Sequence, residues 1–309
     1  MPTKIGQVKR KPAVSIIGAG RLGTALALAL VSRGYFVEAL VTRRLSRAQK
    51  VTKLLSASAL ALSETQLNEL PASDLILIVT PDDVIGTVAR RLAAAQKGMP
   101  QGRTVLHTSG ALSSAVLKPL AELGFHAGSL HPLVSVSDSA SGAANLADAF
   151  FSLEGDDAAV RMARQVVRDL GGRSFSIDSR YKALYHAAAV MASGHVVALF
   201  DIAAEMLQRC GLDQKNAQSV LLPLVESTVK NLSGSEPARA LTGTFSRGDL
   251  TTIRKHLEAL ALEGPAEALT AYRLLGQRSL MLMAKNGADP AILKRIANVL
   301  KRAPTKRGR

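Results

Sequence analysis

Lys182 and His186 stand four residues apart in an apolar stretch, and Ser193 follows two turns on near the same stripe. That spacing puts Lys182 and His186 on one helix face. Polar side chains on an otherwise apolar helix need water, partners or a ligand. A lysine there can donate a proton to a carbonyl oxygen as hydride arrives, and burial lowers its pKa toward that task. His186 can orient a substrate or share the proton. The competing reading has Lys182 on an exposed first turn and His186 as a satisfied core histidine, and both stay open on the sequence. His131, followed by Pro132, falls at a sheet edge, where it contacts substrate or only caps the strand. Cys210 sits near a helix C-terminus, where the dipole raises a thiol pKa and argues against a nucleophile. Arg247-Gly-Asp249 reads as a loop with Asp249 capping the next helix. The six histidines show no H-E-x-x-H spacing, so no metal is predicted.

These candidates need elements to hold them, and the clearest lie near the N-terminus. Gly18, Ala19, Gly20, Arg21, Leu22 and Gly23 spell G-x-G-x-x-G after an apolar run and before a helical one. Gly18 permits the tight turn, Gly20 lets backbone approach a pyrophosphate, and Gly23 lets helix and strand pack closely. The helix N-terminus then offers free N–H groups to the anion. About 20 residues on, NAD readers place an acid for the ribose 2′-hydroxyl. This chain has Thr42, Arg43 and Arg44 there instead. Thr42 can donate to a 2′-phosphate, and the arginines can pair with it. The pattern predicts NADP over NAD. Thr80 and Pro81 end another strand, and His107-Thr-Ser109-Gly110 ends the next, so both segments are expected along the ribose and nicotinamide. Asp82 or Asp83 reads as a helix N-cap.

The first half alternates strands and helices. Strands are predicted over 13–17, 35–41, 74–79, 103–107, 125–130, 150–153 and 173–177. Helices are predicted over 22–32, 46–55 (capped by Ser46), 83–95, 113–123 and 157–170. Such alternation means α/β, a doubly wound parallel sheet. After Asp178 no strand follows, and helices are predicted over 181–209, 213–232 (kinked at Pro223), 249–260, 265–285 and 289–300. The expected organisation is a Rossmann-like domain over 12–178 and an all-α substrate and dimerisation domain over 179–302. Basic tails, 1–11 and 303–309, flank them. A long helix apolar on most faces must be buried in a bundle or against a second subunit, and a homodimer is expected.

The chain has 309 residues, 47% of them hydrophobic and 20% charged, which excludes wholesale disorder. One cysteine excludes an intramolecular disulfide. The formal charge of +15 raises nucleic acid as a partner. Lys4, Lys9, Arg10, Lys11, Lys301, Arg302, Lys306, Arg307 and Arg309 carry much of it and read as solvated tails. Tryptophan is absent and aromatics are 4%, which argues against a base-stacking platform. The apolar run over 187–200 stops at Asp201, short of the ~20 residues needed to span a bilayer. No membrane contact is expected, and the protein reads as cytoplasmic.

Taken together, these residues resemble the Rossmann-like proteins that carry domain of unknown function 2520. The resemblance rests on the glycine motif, His107-Thr-Ser-Gly-Ala-Leu112, Ser129-Leu-His-Pro-Leu133, Tyr185-His-Ala-Ala-Ala189, and Ala240-Leu-Thr-Gly243 followed by Arg247-Gly-Asp249. It covers nearly the whole chain. It implies a helical C-terminal domain similar to those of 6-phosphogluconate and β-hydroxyacid dehydrogenases, and usually a dimer. It implies Lys182 as general acid, and Asn231, Thr242 and Arg247 along the substrate cleft. His186 replaces the asparagine of that wider group, and Gly194 and Thr244 also depart from the pattern. The expected function is an NADP-dependent oxidoreductase acting on a small carbonyl, hydroxy acid or imine. The alternatives are a non-catalytic NADPH-binding regulator and association with nucleic acid through the tails.

Overall fold

The computed structural model describes residues 10–55, 58–98 and 100–301. Most of the two basic tails lies outside those residues. Lys11 lies inside them and is no free tail: it pairs with Asp169 at 3.6 Å and stands 4.9 Å over the Tyr35 ring. The chain divides between Ser193 and Gly194 into two compact units. The sequence reading ends the first domain at Asp178 instead.

The first unit is built on an eight-stranded sheet in the order β3-β2-β1-β4-β5-β6-β7-β8. Its strands are β1 (Ala13–Ile17), β2 (Phe36–Thr42), β3 (Leu60–Ser63), β4 (Leu75–Ile78), β5 (Thr104–His107), β6 (His126–Leu133), β7 (Phe150–Gly155) and β8 (Arg173–Ser176). Alternation along the strands splits the core into two layers. Val14, Ile16, Leu75 and Leu77 face a cluster with Leu26, Leu30, Val166 and Val167. Ile17, Ile76 and Ile78 face the opposite cluster with Ile85, Ala89 and Leu92. Successive side chains of a strand point to opposite faces, so a continuous apolar run satisfies both layers at once. The covering helices are α1 (Arg21–Ser32), α2 (Leu45–Leu54), α3 (Asp82–Ala95), α4 (Lys118–Ala121), α5 (Ser139–Asn145) and α6 (Asp157–Leu170). The chain runs outward in opposite directions from β1, which makes the carboxyl ends of β1 and β4 the switch-point crevice where such sheets bind ligands.

Several expectations need correction. The sheet is not wholly parallel: β6 and β7 pair antiparallel, Leu133 opposite Phe150 through Gly128 opposite Gly155. β6 extends through Leu133, so His131 and Pro132 lie within the strand and do not follow it. β3 and α5 are short segments that the periodicity did not reveal. The helix expected over 113–123 is a 3₁₀ turn, Ser114–Leu117, followed by the four residues of α4, because Pro119 interrupts the hydrogen-bond ladder. α2 starts at Leu45 with Arg44 as its N-cap residue, not Ser46, and Pro81, not Asp82 or Asp83, is the N-cap residue of α3.

The expected single helix over 181–209 is two, α7 (Lys182–Ala192) and α8 (Gly194–Arg209), separated at Ser193 (φ −127°, ψ −82°). The second unit continues with α9 (Gln214–Gly234), α10 (Pro237–Ala240), α11 (Gly243–Ser246), α12 (Leu250–Glu263), α13 (Ala268–Lys285) and α14 (Pro290–Lys301). α9 runs through Pro223. Asp249 caps α12 as expected, accepting from the Thr252 N–H at 3.0 Å. The unit's core is small, gathered around Ile253, Leu257, Met283, Ile296 and Leu300. α8 and α9 each bury a single residue, Ala204 and Ala217. Val197 is 68% and Leu224 63% exposed. The run Ser179–Arg209 covers 31 residues and contains an 18-residue window with a mean hydropathy of 1.7, enough by length and composition alone to cross a membrane. The expectation that no such run exists undercounted it by stopping at Asp201, since single charges spaced along a helix leave its average apolar.

Candidate active site

The glycine turn follows β1. Gly18 has φ +105°, and a Cβ there would lie 2.3 Å from the Val79 carbonyl oxygen. A Cβ on Gly23 would lie 1.9 Å from the Gly18 carbonyl oxygen. Both positions therefore require glycine. A Cβ on Gly20 would meet nothing within 4 Å. Gly20 is the N-cap residue of α1 without a side-chain cap, and the first turn of α1 contains no acid. Arg21, Leu22 and Gly23 have N–H groups that a helix cannot satisfy internally, and a dinucleotide's pyrophosphate fits that need.

The other expected cofactor residues are less uniform. Ala19 is buried, and its carbonyl accepts from Thr24 Oγ1 at 3.3 Å and Arg47 Nε at 3.2 Å. Arg47, which the sequence reading missed, thus reaches back over the turn. Arg21 is exposed and touches the Ser137 carbonyl at 3.5 Å, while Leu22 packs on the core. Thr42 is buried and donates its hydroxyl to the Arg44 carbonyl at 2.7 Å, which commits it internally. Arg43 and Arg44 are exposed beside it. Thr80 Oγ1 is buried without a hydrogen-bond partner. A buried hydroxyl in that state leaves a hydrogen bond unmade.

Lys182 is 1% exposed. That overturns the reading of an exposed first turn. Asp178 accepts from the Arg180 N–H at 2.9 Å and caps a 3₁₀ turn, Ser179–Tyr181, which delivers Lys182 onto the sheet. Its Nζ donates to the Ser109 carbonyl at 2.9 Å and to Ser129 Oγ. Burial pulls its pKa down from 10.5 to about 8, against the attraction of Glu154 and Asp82. Ser109 is itself held in place: its hydroxyl donates to Asp82 at 2.7 Å and accepts from the Ala111 and Leu112 N–H groups at 3.1 and 3.0 Å. Glu154 is held by Ser114, whose N–H and hydroxyl donate at 2.8 and 2.6 Å.

His131 and His186 converge on Gly110. A Cβ on Gly110 would lie 2.4 Å from His186 Cδ2 and 2.8 Å from His131 Nε2. The two rings stand edge to face with centroids 5.6 Å apart. Burial, with the like charges of His186 and Lys182, pushes the His131 pKa down to about 4. His107, at the end of β5, is fully buried and pushed down to about 3 by burial and Lys182. Ser193 does not join the group; it donates to the Ala189 carbonyl at 2.7 Å. The sequence reading missed His107, Ser129 and Tyr185 as neighbours of Lys182, because they come from β5, β6 and one helical turn further on. Asn231, Thr242 and Arg247 belong to the second unit, Asn231 on an exposed stretch of α9 and the other two flanking α11. Among the described residues no three His, Cys, Asp or Glu side chains group to hold a metal.

Two family models match. A Rossmann-like domain spans residues 2–132, and the domain of unknown function 2520 spans 149–279. The second match begins at β7, so Lys182 and His186 of α7 fall within it, whereas His131 of β6 lies just outside. No curated protein matches the chain. Among solved structures, a Thermotoga maritima protein is similar at 22% identity and TM-score 0.68, covering 89% of this chain and all of its own. A Bacteroides fragilis protein provisionally described as an NADP oxidoreductase is similar at 22% identity and TM-score 0.67, covering 89% of this chain and 99% of its own. A reductive aminase from Aspergillus terreus, in complex with NADPH and ethyl levulinate, is similar at 16% identity and TM-score 0.63, over 93% of this chain and 99% of its own. At these identities the likeness is one of fold.

Proposed function

We propose that this protein is an NADP-dependent oxidoreductase acting on a small carbonyl, hydroxy-acid or imine compound. The glycine turn carries the reading: two glycines that admit no side chain, a third that leaves open space, and an uncapped helix N-terminus at the switch point. Exposed Arg43 and Arg44, with no acid at the end of β2, favour the 2′-phosphate. The neighbours from Bacteroides fragilis and Aspergillus terreus, the one provisionally described as an NADP oxidoreductase and the other bound to NADPH, support the same cofactor. When bound, the nicotinamide supplies or accepts hydride. Lys182, kept near pKa 8, holds a proton close to neutral pH. Two of its three N–H bonds go to Ser109 and Ser129. Lys182 and His186 form the acid and base pair of this reading, with His131 orienting the substrate.

Titration calorimetry with NADPH and NADH in parallel tests it. NADPH is expected to bind in preference, and Arg43→Ala to lose roughly tenfold in affinity, the size of one charge-assisted contact. Absence of binding to either nucleotide refutes the cofactor and the enzyme together. Tight NADPH binding with no turnover across carbonyls and imines supports the non-catalytic regulator instead. We also propose that a second copy covers the apolar faces of α8 and α9, where Val197 and Leu224 stand exposed. Light scattering that reports a monomer at micromolar concentration refutes that pairing.

A further inference from the structure

Tyr185 follows Lys182 by three residues on α7, and its hydroxyl lies 2.7 Å from His131 Nδ1 on β6. The two rings stand at 88° with centroids 5.6 Å apart, and the Phe175 ring of β8 also packs edge-on against the phenol, centroids 5.9 Å apart. The phenol is therefore clamped, and its oxygen is aimed at the ring nitrogen. We propose that Tyr185 locks His131 in the tautomer that carries its proton on Nε2, so that the ring presents a neutral hydrogen-bond donor beside Gly110 to an acceptor oxygen of the substrate. The substrate half rests on the oxidoreductase reading above; the tautomer half stands without it.

A half-buried phenol O–H needs an acceptor. Ser152 of β7 hydrogen-bonds the phenol as a donor, lowering its pKa, which leaves the phenol's own O–H for the Nδ1 lone pair 2.7 Å away. Burial raises the Tyr185 pKa to about 12, so the phenol keeps its proton at neutral pH. A neutral imidazole has one N–H, and if Nδ1 accepts, the proton sits on Nε2. Burial, and after it the like charges nearby, keeps His131 neutral. Lys182 and His186 face it from α7 as like charges. On β7, Ser152 is its cross-strand partner, and Glu154 is engaged by Ser114. On α3, Asp82 is engaged by Ser109. His107 on β5 is itself held neutral. Nε2 is the atom that a Cβ on Gly110 would meet at 2.8 Å, so glycine keeps the donor's front clear. Fixing a neutral imidazole by a partner on its other nitrogen is a general way to aim a donor.

The test is nitrogen NMR on the full chain with labelled histidine rings and no nucleotide, with His131→Ala supplying the assignment. His131 is expected with Nε2 protonated and Nδ1 bare, and to titrate near pH 4. Tyr185→Phe keeps the ring stack and removes the O–H. That variant is expected to populate both tautomers and to raise the midpoint by roughly half to one pH unit, the size of one neutral hydrogen bond. Acetate serves as the simplest acceptor-oxygen probe. It is expected to move the Nε2–H resonance, and at least twofold less in Tyr185→Phe. A proton found on Nδ1 in the wild-type protein overturns the lock, and the wild-type spectrum decides this even if the variant fails to fold. An unchanged tautomer in Tyr185→Phe overturns it equally, and no response to acetate in either protein overturns the donor role. Loss of the NADPH reading would leave the wild-type tautomer result in place, so the two failures are distinguishable.

Discussion

Replacing Lys182 with methionine removes a buried charge while keeping an unbranched side chain of similar length. In the folded protein burial lowers the lysine pKa from 10.5 to about 8. Below about pH 8 both folded and unfolded chains hold the proton, and the penalty of the buried ammonium is fully present. Between about 8 and 10.5 the folded chain releases the proton while the unfolded chain keeps it, so the unfolded state binds more protons and stability rises with pH. The whole rise is roughly 3 kcal/mol, at about 1.4 kcal/mol per pH unit across the window. The methionine variant has no such proton to release. Urea unfolding of both full chains, followed by far-ultraviolet circular dichroism at steps from pH 7 to 10.5, isolates the effect, because every other titrating group is common to the pair. The stability difference between wild type and Lys182→Met is expected to drift by about 3 kcal/mol in favour of the wild type as pH rises. A difference that stays flat across that window refutes a buried, pKa-depressed Lys182.

Two further substitutions probe the backbone that holds the site. Gly23→Ala places a Cβ 1.9 Å from the Gly18 carbonyl oxygen. It is expected to cost about 3 kcal/mol of stability and at least tenfold in NADPH affinity, read by thermal melting and calorimetry; a variant that melts and binds like wild type contradicts the close packing of α1 on the turn. Gly110→Ala meets the flexible ends of His186 and His131 rather than backbone. It should cost only about 1 kcal/mol by urea unfolding yet displace both imidazoles, which histidine-ring NMR would register as shifted resonances; unchanged rings would mean that the two histidines do not crowd Gly110.

Much of the first unit is legible in its residues. β1 and β4 are short and apolar on both faces, so their burial and parallel neighbours follow from composition. The glycine motif declares its turn because two of its positions exclude any side chain. Other features leave a weaker trace. β3 has four residues, too few for periodicity to register. β6 reads as ending at Leu130, yet its antiparallel pairing with β7 extends it to Leu133. Asp82 reads as a cap and instead accepts from Ser109, a partner 27 residues away.

The sequence by itself determined that an α/β half with a dinucleotide-type turn precedes a helical half, and that Lys182 and His186 share a helix face. Local spacing suffices for those statements, because strand and helix periodicities and glycine sterics act within a few residues. It left Lys182 balanced between an exposed turn and a working group. Only the tertiary structure decided that. Its burial depends on Ser109 and Ser129, which β5 and β6 bring up from 73 and 53 residues away. The meeting of His131, Tyr185 and His186 around Gly110 likewise depends on a β6 that runs past the end of β5. Hydrogen bonds and desolvation act through space, and the distances that set them exist only once the sheet has brought its strands together.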